Sequence, residues 1–405
     1  MTNIEAKHEE PTTGEPVRVV VVGGGYAGVL AANHLRLNPD VAITVVNPRP
    51  TFVERIRLHQ LITGSDDAVV DFGDVLADDV RLVVDTAESI DAPARTVTLG
   101  SGDGIGYDYL IYAVGSTGAA PTVPGAAEFA NAVSELEHAE QLRTALIEVH
   151  PSAPVVVVGA GPTGLEVAAE LAEEGQTVTL VCGEVLGPYF HASVRRSVAK
   201  RLRALGVTVL EGAGAKVTEV RRDSVLLTDG RELPAVVTIW TAGFGVPDLA
   251  ARSGLTTDAI GRLLTDETLT SVDDPRIVGA GDACAPSGHP LRMSCQAAIP
   301  LGAQAANTVL SRIAGTAPAA VNQAFTGQCV SLGRKAGVVQ LAHLDDRPTR
   351  FRIGGRAAAV VKEAVCKSTV SFLTREARKP GSYFWLKGGK RAEQLAARTP
   401  AAAVR

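Results

Sequence analysis

This chain of 405 residues is poor in paired cysteines and in long apolar runs. Its five cysteines, Cys182, Cys284, Cys295, Cys329 and Cys366, lie far apart, and no two form C-x-x-C. That spacing argues against a zinc ribbon or a local dithiol; no metal ligand set is evident, and reduced structural thiols are expected. No run of 18 apolar residues occurs, so no segment is expected to span a bilayer. The start, "MTNIEAKHEEPTTGEP", lacks an apolar h-region. It reads as a fraying tail (residues 1–16) rather than a secretory signal, and the cytoplasm is the expected compartment. The net charge of −5 is too mild for a nucleic-acid binder. Lysine is scarce, at 9 against 30 arginines, and Ala and Gly abound, a composition suggestive of a GC-rich bacterial genome.

The length calls for more than one domain, and two or three are expected. Charge is unevenly divided. From Ser331 onward there are 16 Lys and Arg against 5 Asp and Glu, so a basic C-terminal region follows an acidic body.

Two stretches stand out. "VRVVVVGGGYAGVLAANHL" (17–35) reads as a strand buried on both faces, a glycine turn and an apolar helix. "APVVVVGAGPTGLEVAAEL" (153–171) repeats it element for element. Gly23 permits the tight turn, Gly25 lets a pyrophosphate approach the backbone, and Gly28 allows close helix–strand packing. Gly159, Gly161 and Gly164 take the same three roles. Each helix N-terminus offers unpaired N–H groups to phosphate. One such turn is a weak signal, but two aligned copies point to two dinucleotide-type ligands.

With these motifs the sequence resembles the two-dinucleotide-binding flavoproteins of the pyridine nucleotide-disulfide oxidoreductase superfamily. Its likeness is greatest to the type II NADH dehydrogenase and apoptosis-inducing-factor-like branch. Further motifs carry the resemblance over residues 17–315: "YDYLIYAVGS" (107–116, with Gly115), "TIWTAGFG" (238–245, with Gly243), "PRIVGAGDACA" (275–285) and "SCQAAIPLGAQAANTVL" (294–310). The implied fold is α/β, with FAD-binding and NAD(P)H-binding Rossmann-like domains and a small α+β C-terminal region. Its implied boundaries are 17–118 and 246–315 for a split FAD domain, 119–245 for the NAD(P)H domain, 316–390 for the C-terminal region and 391–405 for a disordered tail.

The resemblance also implies roles. Gly281 and Asp282 would sit at the flavin ribityl chain. Gln296 and Ala297 would open the helix whose N-terminus faces the flavin ring, where reduction develops negative charge. Glu166 is the candidate catalytic residue, placed to position the nicotinamide carboxamide or to relay a proton. In "FVERIRLHQ" (52–60), Arg57 is the expected cation toward the flavin, whereas His59 is expected on a solvated amphipathic helix.

Departures from the family pattern narrow the reading. Asn47 replaces the usual ribose-binding carboxylate of the first unit. In the second unit Cys182 takes that place, with Glu184 two residues on. No Arg or Lys follows before Arg195, which favours NADH, with NADPH as the alternative. The paired glutamines of the type II quinone stretch are absent; Cys295, Gln296, Pro300, Leu301 and Gly302 occupy it. "NPRPTFVERIRLHQLITG" (47–64) has no cysteine, which excludes flavin-adjacent disulfide chemistry of the glutathione-reductase type. The expected activity is hydride transfer from NAD(P)H to FAD, then two electrons to a quinone-like acceptor. A ferredoxin-type reductase and a non-catalytic NADH sensor are the alternatives. The C-terminal helix, expected from about Gly355 to Leu373, would pack on its own domain or in a homodimer. Peripheral membrane contact through its basic residues is the other expectation.

Overall fold

The computed structural model describes residues 14–398. Most of the expected N-terminal tail and the last seven residues lie outside that range. Two five-stranded parallel sheets dominate. In the first, the spatial order of strands is Ile277–Gly279, Tyr109–Tyr112, Val17–Val22, Val41–Asn47 and Arg81–Val84. In the second it is Ala130–Ala132, Val237–Trp240, Pro154–Val158, Thr177–Val181 and Thr208–Leu210. The central strands bury Val19 to Val22 and Val155 to Val158, because helices cover both faces of a parallel sheet.

The repetition extends beyond the glycine turns. In each unit the third strand leads into a three-stranded antiparallel meander, residues 87–106 in one and 217–234 in the other. The chain then returns beside the glycine-turn strand. The units differ in the source of their outermost strand. The second takes Ala130–Ala132 from just upstream, whereas the first takes Ile277–Gly279 from beyond the second unit. The two crossings between units run side by side, with Thr117–Gly118 pairing antiparallel with Phe244–Gly245.

The helix Cys295–Ile313 packs against the first helix, Tyr26–Leu35. Gly302 makes the approach possible: a Cβ there would lie 2.2 Å from Ala27 O. Pro300 stands inside this helix, in its second turn, where it removes the N–H that would otherwise bond back to Gln296 O.

A three-stranded antiparallel sheet follows (Gly327–Ser331, Gly337–Ala342, Pro348–Gly354), covered by the helix Gly355–Arg378. That helix runs beyond its expected end at Leu373. Its buried residues Ala358, Lys362, Cys366, Thr369, Leu373 and Glu376 recur at helical spacing, so a lysine and a glutamate share one stripe with apolar side chains. Glu376 clasps the chain that follows. It takes hydrogen bonds from Gly381 N (2.6 Å) and Tyr383 N (2.7 Å) and meets His34 Nδ1 at 2.6 Å. The segment expected to be a disordered tail from 391 begins instead with a helix, Arg391–Arg398, anchored by Arg391 on Glu267 at 3.0 Å. No helix among the described residues is long and apolar enough to cross a membrane.

Candidate functional site

The two glycine turns are superposable in chemistry. Gly23 has φ +108° and Gly159 φ +124°, values that L side chains rarely adopt. A Cβ on Gly28 would collide with Gly23 O at 1.8 Å, and one on Gly164 with Gly159 O at 2.0 Å. The third glycine of each helix thus sits on the first of its own turn. Gly25 and Gly161 are different: a Cβ on either would meet nothing within 4 Å. Their packing does not require glycine, whereas a group approaching the helix N-terminus does. Both turns therefore suit a bound pyrophosphate.

Asn47 is partly committed elsewhere. Its Oδ1 accepts from Gly24 N at 2.9 Å and its Nδ2 donates to Arg49 O at 2.8 Å, so the amide braces the first turn. One lone pair and one N–H remain for a ribose. Glu184 is exposed just beyond the strand Thr177–Val181.

Asp282, in the short turn Gly281–Ala283 after the last strand of the first sheet, belongs to a hydrogen-bonded set. Ser116 Oγ donates to Asp282 Oδ2 at 2.8 Å, and Ser294 N donates to Oδ1 at 3.2 Å. Burial pushes its pKa up, against the pull of the Ser116 bond and the Arg55 charge. Ser294 in turn caps the helix, accepting from Ala297 N at 3.3 Å. Gln296 donates to Thr326 Oγ1 at 2.7 Å, and its buried Oε1 has no hydrogen-bond partner among the described residues. Gly115 (φ +71°) and Gly243 (φ +89°) mark the turns beside the two crossings. A carboxylate, a helix N-terminus and an unsatisfied buried amide oxygen converging here fit a polar ring system with N–H and hydroxyl groups.

The arginine that reaches this set is Arg55, not Arg57. Arg55 Nη1 donates to Ser116 O (2.6 Å) and Ser116 Oγ (2.9 Å), and Nη2 donates to Ser134 O (2.8 Å). Arg57, expected toward the flavin, is buried and held by Gln60 (2.8 Å) and Glu363 (3.0 Å), with Glu54 and Asp66 at 3.3 Å. Sequence could not separate the two, because a single 3-10 turn, Arg55–Arg57, sends them opposite ways.

His59 is likewise not solvated. It is 3% exposed and lies against Glu166 and Glu170, which are one turn apart on the helix Pro162–Glu173. Its Nδ1 is 3.6 Å from Glu166 Oε2 and its Nε2 is 3.5 Å from Glu170 Oε1. Glu166 Oε1 also accepts from Ser331 N at 3.0 Å and meets Lys362 Nζ at 3.1 Å. Three regions of the chain thus meet at one buried carboxylate. Burial alone would neutralise both partners. Instead, burial's upward push on Glu166 is overcome, chiefly by Lys362 and with the help of the Ser331 N–H, and Glu166 holds Lys362 charged against its own burial. Burial pushes the His59 pKa down to about 4 and the Glu170 pKa up to about 7. Lys362 was legible in the sequence only as one cation of a basic helix. Glu170 carried a clearer signal, since residues four apart on a helix share a face.

Cys284 and Cys366 are buried, and Cys182, Cys295 and Cys329 are half-buried. Burial raises the thiol pKa of Cys295 to about 11 and of Cys366 to about 12. Among the described residues no group of His, Cys, Asp or Glu could hold a metal ion.

The family profile described as pyridine nucleotide-disulphide oxidoreductase matches residues 17–324. The chain belongs to that family. An NADH dehydrogenase-like protein of Mycobacterium tuberculosis is 31% identical over 324 residues, spanning 73% of this chain and 80% of its own length. A type II NADH:quinone oxidoreductase of the same organism is 26% identical over 362 residues, spanning 77% and 76%. Among solved structures, the sulfide:quinone oxidoreductase of Aquifex aeolicus matches with a TM-score of 0.77 at 23% identity, covering 90% of this chain and 93% of that one. NDH2 from Plasmodium falciparum, in complex with NADH, matches with a TM-score of 0.71 at 14% identity, covering 91% and 100%. At those identities the two structures establish the fold alone. Family and relatives together make this chain an FAD-containing, NAD(P)H-dependent oxidoreductase.

Proposed function

We propose that this chain oxidises NADH and delivers the electrons to a quinone-like acceptor, with Glu166 and Lys362 handling the protons. The observation that carries this reading is the buried Glu166–Lys362 pair, at 3.1 Å. It lies within electrostatic reach of Cys295, the first residue of the helix capped by Ser294. On this reading Gly23, Gly25, Gly28 and Asn47 cradle the FAD pyrophosphate and ribose. Asp282, Gly281, Ser116, Gln296 and Ala297 hold its ribityl and ring portion, with Gly115 at the bend. Gly159, Gly161, Gly164 and Gly243 receive NADH, and Glu184 takes the adenosine ribose and disfavours a 2′-phosphate.

Bound FAD supplies the two-electron chemistry, between NADH on one side and the acceptor on the other. The chain's own residues supply position and charge. The Ser294-capped helix aims its N-terminal dipole at developing negative charge. A quinone that gains two electrons must also gain two protons. The Lys362 ammonium stabilises the developing oxyanion, and the Glu166 carboxylate accepts a proton and hands it on.

The test is stopped-flow spectroscopy of the purified holoprotein. NADH should bleach the flavin absorbance, and a water-soluble benzoquinone or naphthoquinone should restore it faster than dioxygen does. Glu166→Gln should slow that restoration by about 10- to 100-fold. A reduced enzyme that no quinone reoxidises overturns the reading.

The C-terminal surface supports a second element of the proposal, peripheral contact with an anionic membrane. Phe351 (61%), Val360 (69%) and Phe384 (80%) are exposed in a C-terminal region that also exposes Arg350, Arg352, Lys367 and Lys387. Apolar side chains amid cations suit a headgroup boundary. Co-sedimentation with phosphatidylglycerol vesicles, but not phosphatidylcholine vesicles, is the expected result. Concentration-dependent dimers with no vesicle binding would assign the surface to a second copy instead.

A further inference from the structure

We infer that His59 and Glu170 form a proton wire that recharges Glu166 from a surface mouth at Thr63 and Arg334. This rests on the proposed acceptor reading and extends it to residues that touch neither nicotinamide nor acceptor. The geometry is a line of alternating acids and bases. Glu170, His59 and Glu166 follow one another at 3.5 Å and 3.6 Å, through the two opposite nitrogens of one imidazole. These spacings exceed a direct hydrogen bond and close with a small rotation of the ring or carboxylates. The side chains are 2%, 3% and 7% exposed, so no bulk water competes along the line.

Glu170 Oε1 is buried without a hydrogen-bond partner among the described residues, and it faces His59. Its other oxygen accepts from Thr63 Oγ1 at 3.2 Å. Arg334 Nη1 stands 3.7 Å from Oε1, and its side chain is 37% exposed. Arg334 also lines a cavity of about 430 Å³ with Ser331, Lys362, Glu363 and Lys367. Glu170, His59 and Glu166 do not line that cavity; the half-exposed Arg334 is what joins it to the Glu170 end of the line. A static ion pair would not need a neutral imidazole, yet burial keeps His59 neutral, so one nitrogen is a donor and the other an acceptor.

The step balances. Protonated Glu170 gives its O–H proton to His59 Nε2. The imidazole releases its Nδ1 proton to the Glu166 carboxylate. The charge moves from Glu166 to Glu170 with no other change, and the histidine tautomer inverts. Ser331 Oγ, 3.3 Å from Nε2, shares that nitrogen with Glu170 and steadies the ring. Glu170 is reprotonated from solvent beside Thr63 and Arg334, and rotation of the ring resets the wire.

Every charged group facing the wire enters its pH dependence. For His59 these are Glu166, Lys362, Arg334, Arg57 and Glu170. For Glu170 they are Arg334 and Glu166. Glu170 must carry its proton to donate it, so the acceptor half-reaction should fall as pH rises through about 7.

The experiment uses holoprotein and stopped flow on each half-reaction across pH. Glu170→Gln should slow flavin reoxidation by a soluble quinone at least tenfold, remove the limb near pH 7, and slow reduction by NADH less than threefold. Glu170→Asp should keep the limb. Arg334→Gln, a surface change, removes a cation that favours the Glu170 carboxylate, so it should move the limb to higher pH. Nitrogen-15 NMR of histidine-labelled protein should find His59 neutral down to pH 5, with its Nε2 resonance shifted in Glu170→Gln. Unchanged reoxidation in Glu170→Gln, or a His59 that titrates near 6.5, overturns the wire. Should no quinone reoxidise the wild-type enzyme, the acceptor reading fails. The NMR arm then still decides the wire, because it needs no acceptor.

Discussion

Lys362 Nζ stands 3.1 Å from Glu166 Oε1, joining the C-terminal helix to the glycine-turn helix of the second unit. The contact spans nearly two hundred residues of chain and is almost wholly buried. Removing the cation leaves a carboxylate inside the protein with only the Ser331 N–H and a neutral histidine. Lys362→Met should therefore destabilise the protein by about 3–5 kcal/mol. Replacing both, as Glu166→Gln with Lys362→Met, should cost less than the two single changes added together. Urea denaturation of the four proteins checks this; additive losses would mean that the pair is not coupled.

The glycines divide into two classes with opposite expectations. Gly302→Ala places a methyl group 2.2 Å from Ala27 O, on rigid backbone. It should lower stability by about 1–3 kcal/mol and loosen flavin retention. At Gly161 the Cβ of a valine would meet no protein atom within 4 Å. Gly161→Val should keep the melting temperature and raise the KM for NADH by roughly tenfold, on the proposed pyrophosphate reading. Thermal melts beside steady-state kinetics separate the two. A Gly161→Val protein with unchanged KM would remove NADH from that turn.

The pH dependence of stability has two opposed parts. The His59 pKa near 4 lies below the unfolded value near 6.5, so the unfolded chain protonates first as pH falls. The stability tied to neutral His59 is present above 6.5 and is lost as pH drops toward 4, on the order of 3 kcal/mol. Glu170 works the other way. Its pKa near 7 exceeds the unfolded 4.5, so its contribution is full below 4.5 and is lost as pH rises through 7. Denaturation at a series of pH values should show His59→Asn losing the acid-side slope and Glu170→Gln losing the neutral-side slope. Parallel curves for all three proteins would contradict both assignments.

Nicotinamide preference offers a test of the exposed Glu184. Glu184→Arg exchanges a repulsive charge for one that pairs with a 2′-phosphate. The ratio of kcat/KM for NADH over NADPH should fall by about tenfold or more, as read by steady-state oxidation of each. An unchanged ratio would place the adenosine ribose elsewhere.

Much of this architecture was written locally. The runs VRVVVV and PVVVV can only be strands buried on two faces, and each is followed by glycines at the spacing a strand-to-helix turn imposes. Those features alone announce two nucleotide-binding units. Glu170 was missed, although a glutamate four residues after Glu166 must share its face. The stripe of the C-terminal helix carried a fainter signal: Lys362 and Glu376 fall at its apolar positions, where a charge needs a distant partner.

What the sequence could not name was the partner. Arg55 and Arg57 are two residues apart, and either could have faced the flavin side. Only the short 3-10 turn sends Arg55 to Ser116 and Arg57 to Glu363. His59 reads as a surface residue until the helix Pro162–Glu173 and the strand Gly327–Ser331 close over it. Backbone geometry and nucleotide cradles depend on neighbours in sequence, so periodicity and glycine spacing determine them. The state of a buried charge depends on which opposite charge folding brings within a few ångströms, and that distance exists only once the units and the C-terminal helix have packed together.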